Sequence, residues 1–129
     1  MHSLARRLGV QPGARLAVIA APDPFRAALA LPDGVDLRTS ARGRVDVLMF
    51  FATRHAELAR RFPTLARAVA GDGGLWIAWP KRTAGIASDL SEARVREVGR
   101  EAGLVDVRTA AIDDAWSGLR FEHRSGARR

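Results

Sequence analysis

The side chains best able to do chemistry lie just beyond apolar runs. Asp23 sits in Ala20-Ala21-Pro22-Asp23-Pro24, and Thr53, Arg54 and His55 follow Phe50-Phe51. Trp79, Lys81 and Arg82 close another apolar segment, while Asp113 and Trp116 flank the last turn. Lys81 is the only lysine, every other fixed positive charge being arginine. Lys81 and Arg82 can bind an anion, with Trp79 or Trp116 as a flat apolar wall, and Asp23, Asp89 or Asp113 can pair with them instead. Structural roles compete for several of these residues. Trp76 and Trp79 are expected to pack into the core from one face of a buried strand, Trp116 with Gly118 can lock a hairpin, and Asp89 suits a helix cap.

Other chemistries lack their residues. His2, His55 and His123 are far apart and have no neighbours of zinc or triad type, so no metal site is expected. There is no cysteine, which removes disulfides, thiolate ligands and cysteine nucleophiles and fits a reducing compartment. No phosphate loop of the G-x-x-x-x-G-K-[ST] kind, no G-x-S-x-G elbow and no ring of aromatics on a strand is present.

These residues need elements to hold them. Residues 3–8 read as a short helix closed by Gly9, and Pro12-Gly13 turns the chain into a buried strand over 15–20. Asp23-Pro24 reads as a helix start, with the carboxylate accepting from free backbone N–H groups. A weak strand over 35–37 precedes a strong, central parallel one over 45–51. Leu58, Phe62, Leu65 and Val69 fall at helical spacing, although Pro63 is expected to kink or split that helix. The glycines of Gly71-Asp72-Gly73-Gly74 end it and deliver a strand over 75–79, terminated by Pro80. Asp89 and Glu92 have capping-box spacing before a helix that Gly103 closes. Strands over 105–112 and 116–123 then form an antiparallel hairpin, ahead of a basic tail at 125–129 expected to be disordered.

The alternation predicts one α/β domain over 1–129: a three-layer, mostly parallel Rossmann-like sandwich with a C-terminal antiparallel hairpin, and an N-terminal helix and linker over 1–12. A chain of 129 residues can bury one core of its own. No apolar run has membrane-spanning length and the N-terminus has no apolar signal core, so a cytoplasmic location and no membrane partner are expected. The net charge of +7 invites a nucleic-acid reading, but the arginines are scattered among Ala and Gly along the chain, as codon bias would leave them.

Val45-Asp46-Val47-Leu48, then a helix, then Gly73-Gly74-Leu75-Trp76-Ile77-Ala78-Trp79 and a terminal hairpin resemble the class I methyltransferase fold. One strand-helix unit usual in that fold has no counterpart between Thr39 and Val45. More closely, Leu8-Gly9-Val10-Gln11-Pro12-Gly13, Trp76-Ile77-Ala78-Trp79-Pro80-Lys81, Ser88-Asp89-Leu90, Gly103-Leu104-Val105-Asp106-Val107 and Trp116-Ser117-Gly118-Leu119-Arg120-Phe121 resemble the bacterial DUF3052 family. The methyltransferase likeness implies a glycine-rich turn after the first strand, lying close to S-adenosylmethionine. Here that turn carries Pro22 and Pro24, each without a backbone donor. Where an acid would take the ribose hydroxyls stand Arg38-Thr39-Ser40, and no acid follows Phe50-Phe51 directly.

The sequence therefore predicts a methyltransferase-like protein with a degenerate cofactor site, no cofactor and no catalytic residue. In an open sheet the ligand site is the rim at the carboxyl ends of the strands. That rim gathers Asp23, Arg54, His55, Trp79, Lys81, Arg82, Asp113 and Trp116 for a small ligand or protein partner. Two alternatives stand beside this reading: a divergent S-adenosylmethionine-dependent methyltransferase, and a regulatory protein that associates with nucleic acid through its arginines.

Overall fold

The computed structural model describes residues 4–124. Ser3 and the basic tail at 125–129 lie outside the described residues. Among the described residues no helix is long and apolar enough to cross a membrane.

The elements run α1 (Leu4–Arg7), β1 (Arg15–Ile19), α2 (Asp23–Ala28), β2 (Asp36–Arg38), β3 (Val45–Phe51), α3 (His55–Ala68), β4 (Val69–Pro80), α4 (Glu92–Glu101), β5 (Leu104–Ala111) and β6 (Trp116–His123). A single 3-10 turn, Arg82–Ala84, lies between β4 and α4. Six strands form one sheet in the order β2-β1-β3-β4-β6-β5. The first four are parallel, whereas β6 runs antiparallel to both β4 and β5. The mixed α/β sheet with its terminal hairpin is thus the expected architecture.

Apolar side chains alternate along the central strands and feed two cores, one on each face. On one face Leu48, Phe50, Leu75 and Ile77 meet Leu58, Phe62 and Leu65 of α3 and Val95 and Val98 of α4. On the other, Leu16, Val18, Met49, Phe51 and Trp76 meet Ala5 and Leu8 of the N-terminal segment, Phe25 of α2 and Trp116. Trp76 is completely buried, and its indole N–H donates to the Leu8 carbonyl at 2.9 Å, which anchors that segment on the sheet.

The missing unit has a physical counterpart. Residues 39–44 alone carry the chain from the carboxyl end of β2, over β1, to the amino end of β3. Parallel crossovers usually need a dozen or more residues and a helix. Here the covering is done by a loop whose Ala41 packs on the core holding Ala17 and Ile19.

Four local expectations are corrected. Pro63 does not split α3, which runs unbroken through it. Asp23 is not the cap of α2: Pro22 holds that position and makes no side-chain cap bond, because the helix starts at Asp23 itself. Gly71, Gly73 and Gly74 do not form a loop but lie inside β4, which begins at Val69 and shifts register against β3 between Val45 and Val47. Finally, Ser91 caps α4, its hydroxyl accepting from the Arg94 N–H at 3.3 Å, so the Asp89-Glu92 capping box does not form.

Candidate functional site

The chain reverses direction across the sheet between β1 and β3, since β2 lies on one side of β1 and β3 on the other. Such a switch point leaves a crevice beyond the carboxyl ends of those strands. Ala20, the first residue after β1, is exposed at that end of the strand and has φ 62°. It is the one described residue other than glycine with positive φ. That conformation brings Cβ against the following carbonyl and costs about 1 kcal/mol or more in a non-glycine residue. The backbone therefore retains a turn that glycine would take without strain.

The two prolines do less harm than their number suggests. Pro22 is the N-cap of α2 and Pro24 its second residue, positions where the missing N–H would have had no intrahelical partner. Ala20, Ala21 and Asp23 keep their amides, and Asp23 is exposed. At the carboxyl end of β2, Arg38 turns back to Asp36 at 2.8 Å and to the Arg42 carbonyl at 3.1 Å. The exposed Thr39 lines a cavity of about 270 Å³ with Val18, Arg26, Leu29, Leu31 and Leu37.

The expected rim residues divide into two groups. Lys81, Arg82 and Arg54 present their cationic ends without a side-chain partner among the described residues, Lys81 being fixed by its backbone N–H on the Ala115 carbonyl at 2.8 Å. Asp23 is likewise exposed and makes no side-chain bond among the described residues; the rest serve the fold. Trp76 and Trp79, three residues apart on a strand, point to opposite faces and enter different cores, so they do not pack together on one face. Trp116 is 8% exposed and meets Phe51 edge to face at 5.1 Å. Asp113 closes the hairpin turn, Oδ1 accepting from the N–H groups of Ala115 at 2.8 Å and Trp116 at 2.9 Å. His55 borders a groove between α3 and α4 with Phe62, Pro63 and Val98.

One acid does reach the end of β3, from elsewhere in the chain. Asp89 Oδ1 accepts from the His55 N–H at 2.7 Å, and Ser88 Oγ donates to the Thr53 carbonyl at 2.8 Å. The loop after β4 is thereby pinned to the β3-α3 connection. Spacing along the sequence could not reveal this cap, because Asp89 serves a helix that begins 34 positions earlier.

No family model matches the chain, and no curated protein matches it. Solved structures do. The magnesium protoporphyrin IX methyltransferase of Synechocystis PCC 6803 with bound SAH superposes with a TM-score of 0.65 at 14% identity, over 94% of this chain and 80% of that one. The same enzyme with bound SAM gives 0.62 at 15% identity, over 94% and 74%. A SAM-dependent methyltransferase from Aquifex aeolicus gives 0.63 at 15% identity, over 92% and 86%. The chain has a class I methyltransferase-like fold. This likeness overturns the expectation that no cofactor is held and that S-adenosylmethionine is unlikely, because it pairs the fold with proteins seen holding that molecule or its product. The error lay in treating two prolines as a barrier when both sit where α2 needs no donor.

Proposed function

We propose that the chain binds S-adenosylmethionine across the switch point of β1 and β3, as a divergent member of the methyltransferase fold. The observation that carries this reading is the left-handed Ala20, which keeps at φ 62° the turn that lets backbone approach a ligand closely. The amides of Ala20 and Ala21 would face the amino-acid end of the cofactor. Thr39, at the end of β2, would offer a hydroxyl where an acid ordinarily meets the ribose. Bound there, the cofactor supplies an electrophilic methyl group.

Lys81, Arg82 and Arg54 would receive an anionic acceptor, since all three carry unpaired charge on the same rim. Asp23, exposed and without a side-chain bond, would meet the cofactor's ammonium group. The motifs resembling DUF3052 fit this reading but add no chemistry to it.

Isothermal titration with S-adenosylmethionine and its demethylated product tests the proposal. Saturable binding by the native chain, lost on Ala20→Val and kept on Ala20→Gly, supports it. Binding that ignores both substitutions places the molecule elsewhere and refutes the site.

A further inference from the structure

At the opposite end of the sheet, by the amino ends of β1 and β3, lies a cavity of about 450 Å³ lined in part by Gln11, Asp46, Asp72, Gly73 and Arg120. Its volume is that of a small-molecule site, for which roughly 300 to 1,000 Å³ is usual. The walls are built around one guanidinium. A Cβ at Gly74 would collide with Arg120 Cζ, one at Gly73 with the Asp46 carbonyl, and one at Gly9 would stand 3.0 Å from Arg120 Nη1. Arg120 thus lies flat on glycine backbone, its side chain 13% exposed. Nε donates to Glu122 at 2.9 Å and Nη1 to the Leu8 carbonyl at 3.2 Å, which leaves Nη2 without a partner among the described residues.

The charges around it are unevenly matched. Asp46 accepts from the Arg15 backbone N–H at 2.8 Å and faces the Arg15 guanidinium at 3.5 Å. Arg120 has Glu122. Asp72 is exposed and makes no hydrogen bond or ion pair among the described residues, and the Gln11 amide is equally uncommitted. The cavity therefore offers one spare carboxylate, one spare pair of guanidinium donors and a neutral amide.

From this arrangement we infer a second ligand site, for a free α-amino acid or a similar small zwitterion. Its carboxylate would take the Nη2 donors of Arg120 and its ammonium group Asp72. Opposite charges on the ligand suit opposite charges on the wall, whereas a plain anion would meet two aspartates and a plain cation would leave Arg120 unused. The site is separated from the β1-β3 rim by the length of the strands, so it stands or falls independently of cofactor binding.

The test is a titration of the full chain by NMR, following the Arg120 Nε–H resonance. The probes are L-glutamine, 4-carbamoylbutanoate, which lacks its ammonium group, and 4-aminobutanamide, which lacks its carboxylate. L-Glutamine is expected to shift the resonance saturably, and each analogue to bind about tenfold more weakly, the scale of one charge-assisted contact. Asp72→Asn, at an exposed position with no contact to lose, is expected to weaken L-glutamine by about tenfold and leave 4-carbamoylbutanoate binding at least as well as before, since one repelling carboxylate is gone. No shift with L-glutamine at millimolar concentration, equal binding of all three probes, or an Asp72→Asn chain that binds L-glutamine normally would each overturn the inference.

Discussion

Asp89 Oδ1 lies 2.7 Å from the backbone nitrogen of His55, so that a carboxylate from the loop after β4 closes the first turn of α3. A cap delivered across 34 positions does two jobs. It satisfies a donor that the helix cannot, and it fastens two rim loops to each other.

Loss of that cap should be visible in a melt. Asp89→Ala is expected to cost about 0.5 to 2 kcal/mol and lower Tm by several degrees. Ser91→Ala removes only the 3.3 Å local cap of α4 and should fall at the low end of that range. Equal losses for the two variants would show that the long-range cap carries no special weight.

Asp106 gives a pH signature. Arg100 and Arg96 each donate to it at 2.8 Å, and these bonds hold its carboxyl at about 2 against an ordinary 3.8. A depressed acid stabilises the fold fully above its unfolded value and loses that contribution as pH falls toward the folded one. Acid titration should therefore remove about 1 to 2 kcal/mol between pH 4 and 2, after allowance for solvent screening. Asp106→Asn should flatten this part of the profile; an unchanged profile would show that the α4-β5 staple adds no stability.

Gly99 on α4 has Phe121 of β6 pressed against it, both buried, and Phe121 in turn meets Phe62 edge to face at 5.4 Å. Gly99→Ala gains up to about 1 kcal/mol of helix propensity. The added methyl must displace a ring held on both sides, which costs about 1 to 3 kcal/mol. Net destabilisation in urea is the expected result, and a more stable variant would mean that α4 can lift from the sheet freely.

Ala20 offers the opposite sign. Ala20→Gly should stabilise by about 0.5 to 1 kcal/mol if relief of the left-handed strain outweighs the freedom glycine adds to the unfolded chain. Ala20→Val should destabilise, since a β-branched side chain at φ 62° is strongly disfavoured. A stable valine variant would show that the turn relaxes away from this conformation.

The strands and the mostly parallel sheet with its terminal hairpin were readable because buried parallel strands are continuous apolar runs, as in Val45–Phe51, and because alternation with helices leaves few topologies. The gap between Thr39 and Val45 was equally plain, since it is too short for a helix and a strand. The glycines at 71–74 misled, because glycine marks both a turn and a close approach inside a strand, and only the positions of the Asp46 carbonyl against Gly73 and of Arg120 against Gly74 distinguish the two. Of the rim, the place of Lys81 and Arg82 after β4 was foreseeable, whereas their lack of an acidic partner among the described residues was not. The φ of Ala20 and the reach of Asp89 to His55 were not, because one is imposed by tertiary context on a residue that ordinarily avoids it and the other joins segments distant in sequence.

Cofactor binding is tested most directly by unfolding the native chain with S-adenosylmethionine at increasing concentration. At about 100 times its dissociation constant the ligand should add roughly 2.7 kcal/mol, a rise of several degrees in Tm, and Ala20→Val should abolish the response. A transition that stays fixed through millimolar S-adenosylmethionine and millimolar demethylated product would contradict the account.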